Sequence, residues 1–477
     1  MIRPPRRRPS VIVILLLFAG AGCTNANVPL NDAQVALEAR RQNHTRSAMF
    51  AGNNAFASDT ASPTSQPASP FPAGASALPP PRYADGCFIG LALSGGGSRS
   101  ANFAAACMFQ LQRLGLMQKV DYISSVSGGS LPAAYYCLNG PDDWNPANVQ
   151  KTLTQPFASD LITQTLLPWN WLAMIFSDYD RSDVLANIFH NRLFGRGGRS
   201  LTYADLRADR PRLLINATDL QSGRRFIFCD ETFNELNSDL SKYPMAYAVA
   251  ASAAVPVVLH PVTLRDFSTI FHEYRHLIDG GVSDNLGIQT LLDTYAGQMM
   301  SAGAAGRPDP FPNGAVFIVI DAHTRFNAEL ASQSDIGIFD SLKAALGLTS
   351  TQLLNRVSSA NLSDTIVRSA PDDTTAREIR KQIRDLTQVG YIDARDRHGH
   401  RVQVIYLSLD QVNDLPNVPF ASFSESLNSI ATYFNISGQE AYHLYQAADL
   451  LVRDKFETRI NTIVADLNRE ATTQPAP

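Results

Sequence analysis

The sequence lacks the marks of nucleotide-binding and nucleic-acid-binding proteins. The phosphate-binding string G-x-x-x-x-G-K-[ST] does not occur, and the one approach to a dinucleotide fingerprint, which starts at Gly95, has Ser100 in place of its last glycine. Charged residues make up 18% of the 477 residues, and the formal net charge is −4. Because no basic stripe occurs beyond the extreme N-terminus, we expect no nucleic-acid partner.

Cysteine is scarce as well, with 5 residues in the whole chain. Cys107 and Cys137 lie in apolar stretches with helical spacing. A buried free thiol is the common state of cysteine in such a setting, even in an exported protein. We therefore assign no disulfide from the sequence.

The first 23 residues predict an export signal. Four arginines precede a short apolar run, Val11 to Ala19, which is too short to span a bilayer. Small residues then lead to Cys23, and this order resembles a bacterial lipobox. The resemblance implies a lipid anchor on Cys23 and a membrane-anchored lipoprotein of the bacterial envelope. Because Gly20 stands where a lipobox usually has leucine, a secreted protein is the alternative.

Residues 24–82 predict a disordered tether, because they have no sustained apolar face and become rich in Ala, Ser, Thr and Pro. The remaining chain is long enough for one large domain with additions or for two domains.

Two glycine-rich turns follow apolar runs about thirty residues apart. In the first turn, Gly95, Gly96 and Gly97 separate a strand-like run from a predicted helix over 100–114. Glycine amides at a helix start can hold an anion or the oxyanion of a tetrahedral intermediate.

The second turn fits the nucleophile elbow G-x-S-x-G around Ser127. Ser125 takes the place of the first glycine, and Gly128 and Gly129 follow the serine. An elbow needs small neighbours because the helix starts close to the strand. A third apolar run ends at Asp279, followed by Gly280 and Gly281. Since a serine hydroxyl needs a base, Ser127 and Asp279 form a candidate catalytic pair.

These motifs, in this order, resemble the patatin-like phospholipases. Two further segments are similar to the family: Asn216-Ala217-Thr218-Asp219 with the Ser222-Gly223-Arg224 turn, and the alanine-rich stretch 248–256 that ends in proline. The resemblance extends from about residue 88 to about residue 324. We therefore assign residues 83–325 to a patatin-like catalytic domain and 326–477 to a mainly helical C-terminal region.

The resemblance implies an α/β fold, a three-layer α/β/α sandwich with a mostly parallel central sheet. It also implies a Ser127–Asp279 dyad that hydrolyses phospholipid or other acyl-lipid esters at a membrane surface, without a cofactor or a metal. Arg99 lies in a G-G-G-x-R string that is similar to that of cytosolic phospholipases A, which implies contact with lipid phosphate or support of the oxyanion site. Pairing of Arg99 with a nearby carboxylate is the alternative. Ser100 and Ser125 depart from the family pattern.

Other readings of the function remain open. The same fold could serve a catalytically weak lipid-binding or scaffold protein, or a lipid acyltransferase. His323, after a strand-like run, would complete a Ser-Asp-His triad in chain order. The string from His272 to His276 matches the zinc motif H-E-x-x-H, but glycines follow too soon for the helix that this motif needs, so we predict a surface connection that approaches the Asp279 strand.

The segment from Leu166 to Phe176 contains two tryptophans beside an aliphatic cluster. It suits a lipid-facing helix or lid, but the sequence slightly favours a buried cap helix. Farther along, helices are expected over 341–348, 351–361 and 375–386. A strand is expected over 402–409, and one long helix, with at most a bend, over 439–468.

Overall fold

A computed structural model describes Tyr83 and residues 85–473, apart from 257, 270–272, 325–376, 378–380, 382–384, 387 and 397. The predicted export signal, the lipidation site Cys23 and the tether lie outside the described residues. So do the boundary at residue 325, the helices predicted over 341–348 and 351–361, and most of the helix predicted over 375–386.

A nine-stranded, mostly parallel sheet forms the centre of the molecule, as predicted. From one edge to the other its strands are β10 (Tyr391–Arg395), β11 (Arg401–Ser408), β9 (Ala315–Asp321), β1 (Phe88–Leu93), β2 (Tyr122–Val126), β5 (Arg212–Asp219), β8 (Glu273–Asp279) and β7 (Val262–Asp266), and β6 (Arg225–Phe228) pairs with β5. The five strands from β11 to β5 are parallel, whereas β10, β6, β8 and β7 join their neighbours in antiparallel fashion. Two further strands are β3 Gly195–Arg196 and β4 Arg199–Ser200.

Helices flank the sheet, because its central strands are apolar on both faces and need cover on both. The helices are α1 Gly97–Arg113, α2 Ser130–Leu138, α3 Pro146–Leu153, α4 Phe157–Leu166, α5 Pro168–Phe176, α6 Arg181–Phe189, α7 Asp230–Glu235, α8 Met245–Ser252, α9 Gly281–Asp284, α10 Ile288–Ala304, α11 Phe423–Asn428, α12 Gly438–Leu451 and α13 Glu457–Thr473. No helix in the described part of the chain is long and apolar enough to cross a bilayer.

Strands β2 and β8 meet end to end along one edge of β5. β2 pairs with β5 up to Asn216, and β8 pairs antiparallel with β5 from Asp219 back to Ala217. β6 takes the opposite edge of β5, since Ala217 pairs with both Phe226 and Asp279. The residues that follow β2 and the last residue of β8 are therefore brought together.

The C-terminal residues complete the same sheet. β11 lies parallel to β9, and β10 and β11 form a hairpin at the edge, so the predicted strand over 402–409 is confirmed. The predicted long helix is confirmed as α12 and α13, which a π-helical turn at Val452–Phe456 joins. Such a turn is a common cause of a bend in a helix.

The segment from Leu166 to Phe176 is not a buried cap helix, and that prediction was wrong. It forms the end of α4 and all of α5, in which Met174 is the one buried side chain. Trp169 is 64% exposed and Phe176 is 81% exposed. Apolar density alone does not distinguish a helix buried in the core from one that faces an apolar partner, which explains the error.

Candidate active site

Ser127 lies in a strained turn between β2 and α2. Its φ is +48°, a left-handed conformation that is costly for residues other than glycine. A single 3-10 turn, Ser127–Gly129, leads directly into α2. The Ser127 N–H donates to Ser252 Oγ at 2.8 Å, and the Ser252 hydroxyl in turn donates to the Asn216 carbonyl at 2.6 Å. Ser252 thus holds the backbone of the elbow against β5.

The glycines after Ser127 are required by close backbone packing. A Cβ on Gly128 would lie 2.0 Å from the Gly97 carbonyl oxygen, and one on Gly129 would lie 2.6 Å from the Ser94 oxygen. The elbow is therefore pressed against the first glycine turn. The departure at Ser125 is accommodated, because its buried hydroxyl accepts a hydrogen bond from Ser130 Oγ at 3.1 Å.

Asp279 ends β8 within hydrogen-bonding reach of Ser127. One carboxylate oxygen accepts the Gly281 N–H at 2.7 Å, and the carboxylate also accepts the Ser127 hydroxyl. Burial raises the pKa of Asp279 to about 6, although the hydrogen bonds from Gly281 and Ser127 oppose the rise. The structure thus brings the predicted pair together and gives the carboxyl a pKa close to that of a general base working near neutral pH.

Asn216 ties four elements together beneath the site. Its amide nitrogen donates to Ser124 Oγ at 2.8 Å and to the Ser125 carbonyl at 2.9 Å, and its Oδ1 accepts from Thr290 Oγ1 at 2.6 Å. Asn216 is fully buried. Its backbone oxygen also accepts from Ser252, so the Asn-Ala-Thr-Asp segment positions β2, α8 and α10 around the elbow.

Replacing Asn216 by alanine is expected to destabilise the protein by about 3 kcal/mol or more, because three buried hydrogen bonds are lost and their partners stay out of water. Urea unfolding of the full chain measures this. Asn148, which is exposed, provides the control, and Asn148→Ala should change the free energy of unfolding by less than about 0.5 kcal/mol. Equal effects of the two substitutions would contradict the structural role of Asn216.

The first glycine turn presents two free backbone donors. Gly96 and Gly97 have φ values of +136° and +57°, and among the described residues their N–H groups have no hydrogen-bond partner. The N–H of Gly95 instead donates to the Asn285 carbonyl at 2.9 Å. The Gly95 N–H is therefore already hydrogen-bonded in this structure, and the N–H groups of Gly96 and Gly97 are the ones left to act as the predicted oxyanion donors.

Ser100 forms hydrogen bonds across the glycine turn. Its hydroxyl donates to the Ser94 carbonyl and its N–H donates to the Gly96 carbonyl at 3.2 Å. The departure from the family pattern at this position therefore supplies a hydrogen bond that a glycine would lack. The glycine turn keeps its shape without the final glycine.

Arg99 connects the start of α1 to two distant parts of the chain. Its Nη1 donates to the Ile430 carbonyl at 2.9 Å and to Thr324 Oγ1 at 3.3 Å. Burial lowers the pKa of Arg99 to about 10, and the charge of Asp321 opposes this change. Its Nε–H has no partner among the described residues. The alternative prediction paired Arg99 with a nearby carboxylate. Asp321 is such a carboxylate and acts on Arg99 through its charge, whereas the direct hydrogen bonds of Arg99 are to neutral oxygens.

A short segment of the C-terminal region, residues 430–434, lies on the glycine turn. The Ser98 N–H donates to the Tyr433 carbonyl at 3.3 Å, and a Cβ on Gly97 would lie 2.0 Å from the Thr432 oxygen. Residues from far along the chain thus fix the conformation of the predicted oxyanion turn. This contact could not be predicted from the sequence, because no local motif marks it.

The histidines of the rival readings lie apart from the dyad. The groups that act on the Asp279 carboxyl are Gly281 and Ser127, and His323 is not one of them. His323 follows β9, and β1 lies between β9 and β2, so the ends of β9 and β2 are about 10 Å apart. His276 lies within strand β8 rather than in the predicted surface connection, and it is not on the helix that a zinc motif needs. His272 is outside the described residues.

The chain is similar to one family model and to several distantly related solved structures. Among curated proteins, no sequence is significantly similar. Human GIVD cytosolic phospholipase A2 is 12% identical, with a TM-score of 0.45 over 95% of this chain and 69% of that chain. The structure of its complex with methyl gamma-linolenyl fluorophosphonate is 13% identical in sequence, with a TM-score of 0.43 over 92% of this chain and 65% of that chain. VipD from Legionella pneumophila is 13% identical in sequence, with a TM-score of 0.25 over 76% of this chain and 67% of that chain.

The family model that matches is that of the patatin-like phospholipases, and it matches residues 91–292. This range begins within β1 and ends within α10, so it includes the glycine turn, the elbow and Asp279. The chain therefore contains a patatin-like phospholipase domain, at residues 91–292.

Proposed function

We propose that this protein is a serine acyl hydrolase that cleaves ester bonds of phospholipids or other acyl lipids. One observation carries the proposal: a serine in a strained elbow donates to a buried carboxylate beside two free glycine amides. Acyl transfer requires a nucleophile, a base and oxyanion donors, and this arrangement supplies each of them.

The proposed reaction begins when Ser127 Oγ attacks the ester carbonyl and its proton passes to the Asp279 carboxylate. The negative charge that develops on the carbonyl oxygen is stabilised by the N–H groups of Gly96 and Gly97. Asp279 then gives its proton to the leaving alcohol, and the acyl group stays on Ser127. Water, deprotonated by Asp279, attacks this ester, the bond from the acyl carbon to Ser127 Oγ breaks to release the fatty acid, and Asp279 returns the proton to Ser127 Oγ. Each proton moves between Asp279 and a reacting oxygen.

The backbone strain at Ser127 supports its assignment as the nucleophile. The left-handed backbone of Ser127 is held in place by Ser252 and by close contact of the following glycines with the glycine turn. Such strain persists where the surrounding structure enforces it, and it clusters at catalytic positions.

The test is labelling of the full chain with a long-chain alkyl fluorophosphonate, together with fatty-acid release from phosphatidylcholine vesicles. We expect the phosphonate adduct on the peptide that contains Ser127, and free fatty acid as the product. Absence of both adduct and release would contradict the proposal and favour the lipid-binding or scaffold reading. Transfer of the acyl chain to an added alcohol in preference to water would favour the acyltransferase reading.

The proposal predicts that kcat/KM falls below about pH 6. Asp279 accepts a proton only as the carboxylate, and its raised pKa of about 6 means that this form is lost as the pH falls through that value. A water-soluble short-chain ester measures this without a lipid interface, and kcat/KM should drop about tenfold per pH unit below the midpoint. An ordinary carboxylate would give a midpoint near pH 4. A midpoint near pH 7 that is lost in His323→Ala would assign the base to His323 instead.

A further inference from the structure

Helices α4 and α5 carry an exposed, uncharged apolar surface. The residues that form it, called here the docking face, are Ile162, Leu166, Trp169, Trp171, Leu172, Ile175 and Phe176. From residue 161 to residue 177 the sequence contains no Lys, Arg, Asp or Glu. Contiguous exposed apolar side chains on a soluble body mark a binding surface, whereas scattered ones need no explanation.

The two ends of this helical segment lie on the two sides of the candidate site. At the start of α4, the Ala158 N–H donates to the Phe434 carbonyl at 2.7 Å, next to Tyr433, which accepts from the glycine turn. After α5, the Ser182 hydroxyl donates to the His260 carbonyl. The loop that contains His260 follows Ala254, whose carbonyl accepts the Asp279 N–H at 2.9 Å. The helical segment that carries the docking face therefore begins at a contact on the oxyanion side of the dyad and is followed by a contact to the loop on its aspartate side.

We propose that the docking face binds the surface of a lipid bilayer and so places the mouth of the site against the substrate membrane. This inference rests on the proposed lipid hydrolysis for its purpose, but its evidence is separate. The indole of tryptophan, apolar with one polar N–H, suits the boundary between head groups and acyl chains. An uncharged face complements the uncharged interior of a bilayer, so binding takes place by burial of apolar area and without attraction to anionic lipid.

The position of the N-terminal chain fits this orientation. The Tyr83 ring packs against Phe311, and its hydroxyl donates to that of Tyr122 at the start of β2, at the end of the sheet opposite the dyad. An anchor at the proposed lipidation site Cys23 would hold this opposite end. The 59 residues between Cys23 and Tyr83 reach up to about 200 Å when extended, and a body of this size is roughly 55 Å across. The docking face can therefore turn to the same membrane.

The experiment uses the intrinsic tryptophan emission of the full chain carrying Ser127→Ala, so that no lipid is consumed. Of the 3 tryptophans, Trp169 and Trp171 lie on the docking face and Trp144 is 3% exposed. With phosphatidylcholine vesicles we expect a blue shift of the emission and quenching by brominated acyl chains. Both effects should persist at 1 M salt, where the Debye length is about 3 Å. Binding through the N-terminal apolar run alone would leave the emission unchanged and would overturn the proposal.

A matched pair of variants locates the contact. In the same chain, Trp169→Ser with Phe176→Ser is expected to weaken vesicle binding at least about tenfold, because two of the most exposed apolar side chains are lost. Met300→Ser with Tyr442→Ser removes side chains that are 57% and 55% exposed on α10 and α12, and should leave binding unchanged. Equal binding by both pairs would overturn the proposal. A blue shift that grows with protein concentration in the absence of lipid would assign the face to self-association and overturn it as well.

Measurements of vesicle binding and of ester hydrolysis distinguish a failure of the docking proposal from a failure of the hydrolase proposal. With Ser127 present, the Trp169→Ser and Phe176→Ser variant should hydrolyse a water-soluble short-chain ester at the parental rate while losing activity on vesicles. Vesicle binding without any ester hydrolysis by the parent would sink the hydrolase proposal and leave docking intact. Equal loss on both substrates would show that the substitutions act through the catalytic fold, against the docking proposal.

Discussion

Replacing Ser127 by alanine is expected to lower kcat/KM for phospholipid and short-chain esters by at least about a thousandfold. In the proposed mechanism Ser127 Oγ is the attacking atom, and the Asp279 carboxylate accepts its proton. Asp279→Asn should cause a loss of similar order, since an amide cannot take the proton. The double variant should be little worse than either single one, because members of a catalytic unit act together.

Two control variants test the assignment. One changes a serine close to Ser127 in sequence, and the other changes the histidine of the alternative triad. Ser125→Ala removes a hydroxyl two residues away that only accepts from Ser130, and His323→Ala removes the base of the triad reading. Both should retain activity within about tenfold. Full activity of Ser127→Ala would sink the dyad, and loss of activity in His323→Ala to the level of Ser127→Ala would replace the dyad by a triad.

The local parts of the candidate site could be predicted from the sequence. A glycine cluster after an apolar run reports a turn with special backbone angles, and Ser127 does adopt a positive φ in such a turn. Asp279 was identified in the same way, as the residue where an apolar run meets glycine. These features depend on neighbours in the chain, so their signals are local.

Contacts between distant residues could not be predicted from a single sequence. The end-to-end meeting of β2 and β8 depends on the register of both strands on β5, which a hydrophobic pattern does not specify. The use of the Gly95 N–H by Asn285 and the contact of residues 430–434 with Gly97 depend on the packing of late elements onto early ones. The apolar content of α5 likewise predicted a helix, but it could not predict that most of the apolar side chains of this helix are exposed to solvent.

The contact between the C-terminal region and the glycine turn has a direct consequence for the function of residues outside the family match. Residues 430–434 lie beyond position 292, where that match ends. They nevertheless bind both Arg99 and Ser98 at the start of α1. The conformation of the proposed oxyanion turn therefore depends on contacts between the patatin-like domain and the C-terminal residues, and a substitution that disturbs these contacts should show it.

Gly97→Ala is that substitution, and it is expected to lower kcat/KM at least about a hundredfold, the effect of losing an oxyanion donor. A Cβ at this position would lie 2.0 Å from the Thr432 oxygen, so either the turn or residues 430–434 must move. Gly306→Ala is the matched control, because Gly306 has a φ of +59° against +57° and open space around it. Both substitutions carry the backbone cost of about 1–2 kcal/mol for a left-handed alanine.

Urea unfolding and ester hydrolysis of the two variants separate the backbone effect from the steric one. Gly306→Ala should lose stability without losing activity, whereas Gly97→Ala should lose both, and activity should be measured where each protein is folded. If Gly97→Ala matched Gly306→Ala in kcat/KM, the amide of Gly97 would have no part in stabilising the oxyanion. Of the two glycine N–H groups, that of Gly96 alone would then stabilise the oxyanion, and the contact with residues 430–434 would contribute to stability rather than to catalysis.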